Sequence, residues 1–171
     1  MVELRRFTAG DIPSLLSWID GPEALTMWSG PGFAWPLDEG QLVAHAGRAS
    51  ASRRIWAVQA DAGAVVGHLE LGVDPDHRVG RLARVLIAPA GRGRGIGAAA
   101  VRAALRVAFG ELGLHRVGLG VFTQNTTAIR LYTRLGFVPE GVLREVVRVN
   151  GAWWSSLEMG LLDHEWRQQP A

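Results

Sequence analysis

The sequence predicts an α/β layered domain, a mixed and mostly antiparallel sheet of about seven strands flanked by about four helices, and three observations predict it. Apolar strand-like runs alternate with helix-like stretches in the order β-α-α-β-β-β-α-β-α-β-β. Two hairpin signals, Asp61-Ala62-Gly63 and Asn150-Gly151, each lie between apolar runs. An apolar run ending near Ala88 passes through glycine-rich chain into an alanine-rich helix, the strand–turn–helix of an α/β unit. At 171 residues the chain can bury a substantial core, and no linker or repeat divides it, so residues 1–171 read as one domain.

Each element has its own signal. Residues 2–7 read as a short strand. Ala9-Gly10-Asp11-Ile12-Pro13 looks like a helix start, with Leu15, Leu16 and Ile19 as the apolar face. Across residues 20–37, Gly21, Pro22, Gly30, Pro31, Gly32 and Pro36 break any periodicity, which predicts a long loop. It carries Trp28, Phe33 and Trp35, as a core plug or a ligand lid would. A helix follows over 38–50, then strands at 55–60, 64–71 and 81–88. Residues 96–110 read as a helix, 115–122 as a strand and 125–135 as a helix capped by Asn125. Strands at 137–149 and 152–161 close the chain. Trp153 and Trp154 are adjacent and must face opposite ways, one to the core and one to a rim or a contact between two copies.

Composition removes whole chemistries. All 18 of the basic Lys+Arg residues are arginine, and there is no cysteine. Schiff-base lysines and phosphate loops that need a lysine are excluded. So are thiol nucleophiles, thiolate metal sites and disulfides. Nothing requires an oxidising compartment, so the expected location is cytoplasmic. The basic isoelectric point is no sign of nucleic acid, because the formal net charge is only +2 and the arginines are scattered. No leader-like or membrane-spanning apolar stretch occurs. The five histidines show no ligand spacing, so no metal is expected.

The richest segment is residues 85–97, Val-Leu-Ile-Ala-Pro-Ala-Gly-Arg-Gly-Arg-Gly-Ile-Gly. Glycines let backbone N–H groups turn toward a ligand, and a helix N-terminus adds free donors and partial positive charge. Arg92 and Arg94 can fork onto phosphate oxygens. These residues suit a pyrophosphate cradle and equally a plain solvated turn. A dinucleotide fingerprint fits poorly, because the next strand, His115 to Phe122, offers no acid for a ribose.

Arg92-x-x-Gly95-x-Gly97 resembles the acetyl-CoA pyrophosphate motif R/Q-x-x-G-x-G/A of the GNAT acetyltransferases. Asn125-Thr-Thr-Ala128-Ile-Arg-Leu131-Tyr132-Thr-Arg-Leu-Gly136-Phe137 is similar to that family's N-x-x-A-x-x-L-Y-x-x-x-G-F signature. The opening Leu4-Arg5-Arg6-Phe7-Thr8 and the tail from Pro139 to Leu161 resemble the ribosomal-protein N-terminal acetyltransferase (Rim-type) subgroup. The resemblance implies direct acetyl transfer from acetyl-CoA to a primary amine, of a protein N-terminus or a small molecule, in a ternary complex. It implies cofactor contacts from Val85, Leu86, Ile87, Arg92, Gly93, Arg94, Gly95, Ile96, Gly97 and Asn125, on a bulged strand that splays from the next. It implies Tyr132, the only tyrosine, as general acid. It implies an acceptor site walled by the region of Trp28 and Trp35.

The general base is the gap. Where some members carry a Glu before the Asn motif, this chain has Gly120, and where others carry one on the preceding strand it has Arg81 and Leu82. Glu70 is the first candidate, with His68 two residues before it on the same strand face, and Glu145 or a water relay behind them. The missing acid keeps a second reading open, a non-catalytic acyl-CoA-binding or regulatory domain. Nicotinamide-cofactor and nucleic-acid readings rank below both.

Overall fold

The computed structural model describes residues 2–60 and 63–168. Asp61 and Ala62 of the first expected hairpin turn lie outside the described residues. The elements are β1 (Val2–Arg6), α1 (Ile12–Ser17), α2 (Pro22–Ser29), α3 (Glu39–Ala46), β2 (Arg53–Ala60), β3 (Val65–Asp74), β4 (Val79–Ile87), α4 (Ile96–Leu105), β5 (Arg116–Phe122), α5 (Thr126–Arg134), β6 (Val138–Val149), β7 (Ala152–Leu162) and α6 (Asp163–Arg167). The seven strands form one sheet in the order β1-β2-β3-β4-β5-β7-β6. Every neighbouring pair is antiparallel except β4 with β5, which α4 joins by a crossover. The expected single α/β domain with a mixed seven-stranded sheet is therefore present.

The helices differ from expectation. Six α-helices are found among the described residues rather than four, because residues 20–37 are not a loop throughout and a short helix follows β7. Gly21 is fully extended and Pro22 sits at the first helical position, where a missing N–H costs nothing, so the Gly-Pro pair starts α2 instead of breaking it. Gly30, at φ +60, ends it. The helix expected over 96–110 turns π-helical from Arg106 to Glu111.

Two apolar clusters hold these layers. Leu69, Leu71, Leu82, Val117 and Leu119 of the sheet pack with Ala100, Val101 and Ala104 of α4 and Tyr132, Leu135 and Phe137 around α5. Phe7, Ile12, Leu15, Leu25, Trp28 and Leu42 form the second, between α1–α3 and β2. Each buried Leu, Ile, Val or Phe among them contributes about 1.5–3 kcal/mol, so the clusters fix the helices against the sheet.

Two irregularities in β4 open the sheet. Facing β3, His68 opposes Leu86 and Glu70 opposes Ala83, so Leu69 faces both Arg84 and Val85, a β-bulge with Arg84 at φ +50. Facing β5, pairing covers only Val79–Arg81 against Arg116–Gly118. Beyond Arg81 the two strands part, and the β5-facing backbone of β4 has no strand partner.

Candidate active site

The bulge is pinned from behind. The Arg84 carbonyl accepts hydrogen bonds from the indole Nε1 of Trp28 (2.8 Å) and from Nδ1 of His68 (3.0 Å). A carbonyl only accepts, so His68 carries its hydrogen on Nδ1 and offers an Nε2 lone pair. Nε2 of His45 lies 3.3 Å from that lone pair and is therefore the donor. This leaves Nδ1 of His45 a buried acceptor with no partner among the described residues. Both rings are neutral at pH 7. Burial, with the neighbouring His68 and Arg84 charges, lowers the His45 pKa to about 3, and burial lowers that of His68 to about 4.

The parted strands open a groove of about 440 Å³ lined by Val85, Leu86, Ile87, Arg92, Asn125 and Tyr132. A second hollow, of about 620 Å³, shares Ile87, Arg92 and Gly97 with it and lies over the glycine turn. Gly93 (φ +74) and Gly95 (φ +77) hold conformations that favour glycine, and nothing lies within 4 Å of where a Cβ would project from either. Gly95 caps α4 without any side-chain bond, which leaves the first N–H groups of the helix open. Arg92, Arg102, Arg130 and Arg134 surround the hollow and no acid lines it. The residues therefore fit a diphosphate. Arg102, Arg130 and Arg134 were not anticipated, although the four-residue spacing of Arg130 and Arg134 on one helix face was available as a signal. Arg94, expected in the cradle, lines neither hollow.

Asn125 does cap α5, its Oδ1 accepting from the Ala128 N–H at 3.2 Å. Tyr132 is buried, its ring edge-on to Phe137 at 5.8 Å, and burial pushes its pKa above the ordinary phenol value. Its hydroxyl stays protonated at neutral pH, and the residue lines the groove.

A third cavity, of about 540 Å³, meets the groove at Met27 and Trp28, which line both. Glu70, 3% exposed, lies in its wall with Oε1 held by Arg53 (2.5 Å) and Oε2 by Arg84 (2.8 Å). Glu70 and His68, two residues apart on one strand, do not bond to each other: Nδ1 of His68 is on the Arg84 carbonyl and Glu70 is on Arg53 and Arg84. Glu158, which sequence reading passed over, reaches the cavity from β7. Its Oε1 lies 2.6 Å from where a Cβ of Gly120 would stand. It accepts from Arg81 at 2.9 and 3.3 Å and from Ser156 at 3.3 Å. Only register reveals this, since Gly120 and Glu158 are paired across β5 and β7. Glu145 lines none of these cavities. Trp28 lines the cavity from a helix, with its indole N–H committed to the Arg84 carbonyl. Trp35 is a correction: it is 47% exposed and lines none of the three, because α2 and the turn after it carry it outward.

A bulged strand splayed from a parallel neighbour, with a glycine turn at the mouth of the splay, is the framework of an acyl-CoA-binding acetyltransferase fold. The family model described as "Acetyltransferase (GNAT) family" matches residues 20–137, and the chain belongs to that family. It is 32% identical to the spermidine N(1)-acetyltransferase of Escherichia coli (strain K12) over 116 residues, 67% of this chain and 61% of that protein. It is 34% identical to the spermidine N(1)-acetyltransferase of Vibrio cholerae over 83 residues, 48% of each. The chain thus spans about half the length of these curated relatives. The crystal structure of spermidine N-acetyltransferase from Vibrio cholerae in complex with CoA and spermine superposes with a TM-score of 0.86 at 24% identity, covering 98% of both chains, which shows the shared fold. These relatives are of the spermidine type, where the opening and tail of the sequence suggested the ribosomal-protein type.

Proposed function

We propose that the protein is an acetyl-CoA-dependent N-acetyltransferase that passes acetyl directly to the primary amine of a small molecule. The observation that carries this reading is the splay of β4 from β5, which sets Val85–Ile87 and Tyr132 along one groove, with the glycine turn at the adjoining hollow. The spermidine names of the relatives support a small amine over a protein N-terminus.

Bound acetyl-CoA would supply the acyl thioester. Arg92 and the amides of the glycine turn hold the diphosphate. The β5-facing backbone of β4 at Val85 and Ile87 would lie along the pantetheine arm and offer N–H groups to the thioester oxygen, while Leu86 stays paired with His68 of β3. Tyr132, kept protonated by burial, gives its proton to the departing thiolate. Glu158, standing over Gly120, takes the amine proton through water, and Glu70 steadies the arginines beside it. No acyl-enzyme forms on sulfur, since the chain has no cysteine. The reading includes a cytoplasmic enzyme. It also allows a contact between two copies through the outward Trp153, which is 56% exposed.

The test is acetyl-CoA binding by calorimetry and thiol release with a panel of primary amines. Tyr132→Phe should lower kcat about 100-fold or more while leaving acetyl-CoA affinity within a few-fold. Absence of binding at millimolar acetyl-CoA overturns the proposal, and binding without turnover on any amine favours the non-catalytic reading.

A further inference from the structure

The third cavity has a charge pattern that selects its occupant. Five charged side chains line it, Arg53, Arg81, Arg84, Glu70 and Glu158. Three positive and two negative charges leave a formal excess of one positive charge. The excess is localised. Arg81 and Glu158 neutralise each other at the β5–β7 end. At the β2–β4 end, two guanidinium groups share the single carboxylate of Glu70. Arg53 and Arg84 each give Glu70 one N–H, and the other donors of these forks are uncommitted among the described residues. Nε of Arg84 is buried and unpartnered. His45, 3.9 Å from Glu70, adds no charge because it is neutral at pH 7.

From this we infer that the acceptor is an amine that carries a carboxylate, the class of amino acids, rather than a bare polyamine. The inference rests on the acetyltransferase reading above. The carboxylate seats between Arg53 and Arg84 and restores neutrality at that end. The amine lies toward Gly120, beneath Glu158 and beside the groove. One negative charge suffices, so a carboxylate matches where a phosphate dianion would overshoot. A polyamine would bring two or more ammonium groups into a cleft whose carboxylates are both already paired.

Matched amines that differ only by the carboxylate test it. Lysine against cadaverine, ornithine against putrescine and phenylalanine against phenethylamine are compared by thiol release, with spermidine included. The expected result is kcat/KM at least about 10-fold higher for the carboxylate member of a pair that turns over, about 1.4 kcal/mol. Arg53→Gln, at a partly exposed side chain, should raise KM for the carboxylate member with kcat retained and shrink the ratio within the pair. Arg53→Lys should restore part of it. A merely structural loss would lower both members alike. Higher kcat/KM for the plain amines or spermidine, or a pair ratio unmoved by Arg53→Gln, overturns the carboxylate assignment and leaves the acetyltransferase reading standing. Acetyl-CoA binding with no thiol release from any amine overturns that reading and the assignment with it.

Discussion

Arg84 gathers more of the site than any other residue. Its backbone forms the bulge, its carbonyl is fixed by Trp28 and His68, and its guanidinium pairs with Glu70 over the ring of Phe33. The histidines behind it give the fold an acid weakness. Their ordinary pKa of 6.5 is lowered to about 3 and about 4 in the native state. As pH falls through 6.5 the unfolded chain takes up protons that the native rings refuse. Stability is therefore full above about pH 6.5 and is lost progressively as pH falls, down to about pH 4 for His68 and about pH 3 for His45, at up to about 1.4 kcal/mol per pH unit each. Thermal melts across this range should show a falling Tm, and His45→Phe should flatten the slope. Glu158→Gln should lower kcat about 10-fold or more with little change in Tm, since its carboxylate is a quarter exposed and Arg81 mostly solvated. An unchanged kcat would remove Glu158 as proton acceptor.

Elements explain what was legible and what was not. The strands could be read because their apolar runs and turn signals are local, and the glycine turn and the Asn125 cap because each is complete within a few residues. The helix α2 was not, because Gly21-Pro22 and Gly30-Pro31 look like breakers unless the first pair is taken as a start. The third cavity was unreadable for a different reason. Arg53, Glu70, Arg84 and Glu158 stand on four strands, and only sheet order and register bring them together. Two glycines separate structure from function at this scale. A Cβ on Gly67 would meet the Leu86 carbonyl at 2.7 Å, backbone that cannot yield, and Ile87 Cδ1 at 2.8 Å. Gly67→Ala should cost about 1–3 kcal/mol in denaturant melts, by forcing β4 off β3. A Cβ on Gly120 meets only the ends of Glu158, Arg81 and Ser156. Gly120→Ala should keep the stability and lower turnover.

At the scale of the molecule, no helix among the described residues is long and apolar enough to cross a membrane. The sheet is two groups, β1–β4 and β5–β7, joined by the short pairing of Val79–Arg81 with Arg116–Gly118. A ligand in the groove touches both groups, since Val85 to Ile87 lie on one and Asn125 and Tyr132 follow the other. Acetyl-CoA at 100 times its Kd should add about 2.7 kcal/mol to stability. Amide exchange at Val79–Arg81 and Arg116–Gly118 should slow in its presence, and unaltered exchange there would show that the ligand does not bridge the groups.

That short seam also sets how the molecule responds to force. Pulled apart across the sheet, it should yield first between β4 and β5, where the ladder is only three residue pairs long, while the long β2–β3–β4 and β5–β7–β6 ladders hold. The sheet is mechanically a pair of plates on a narrow weld, and an acyl-CoA lying in the groove would be a rivet across it.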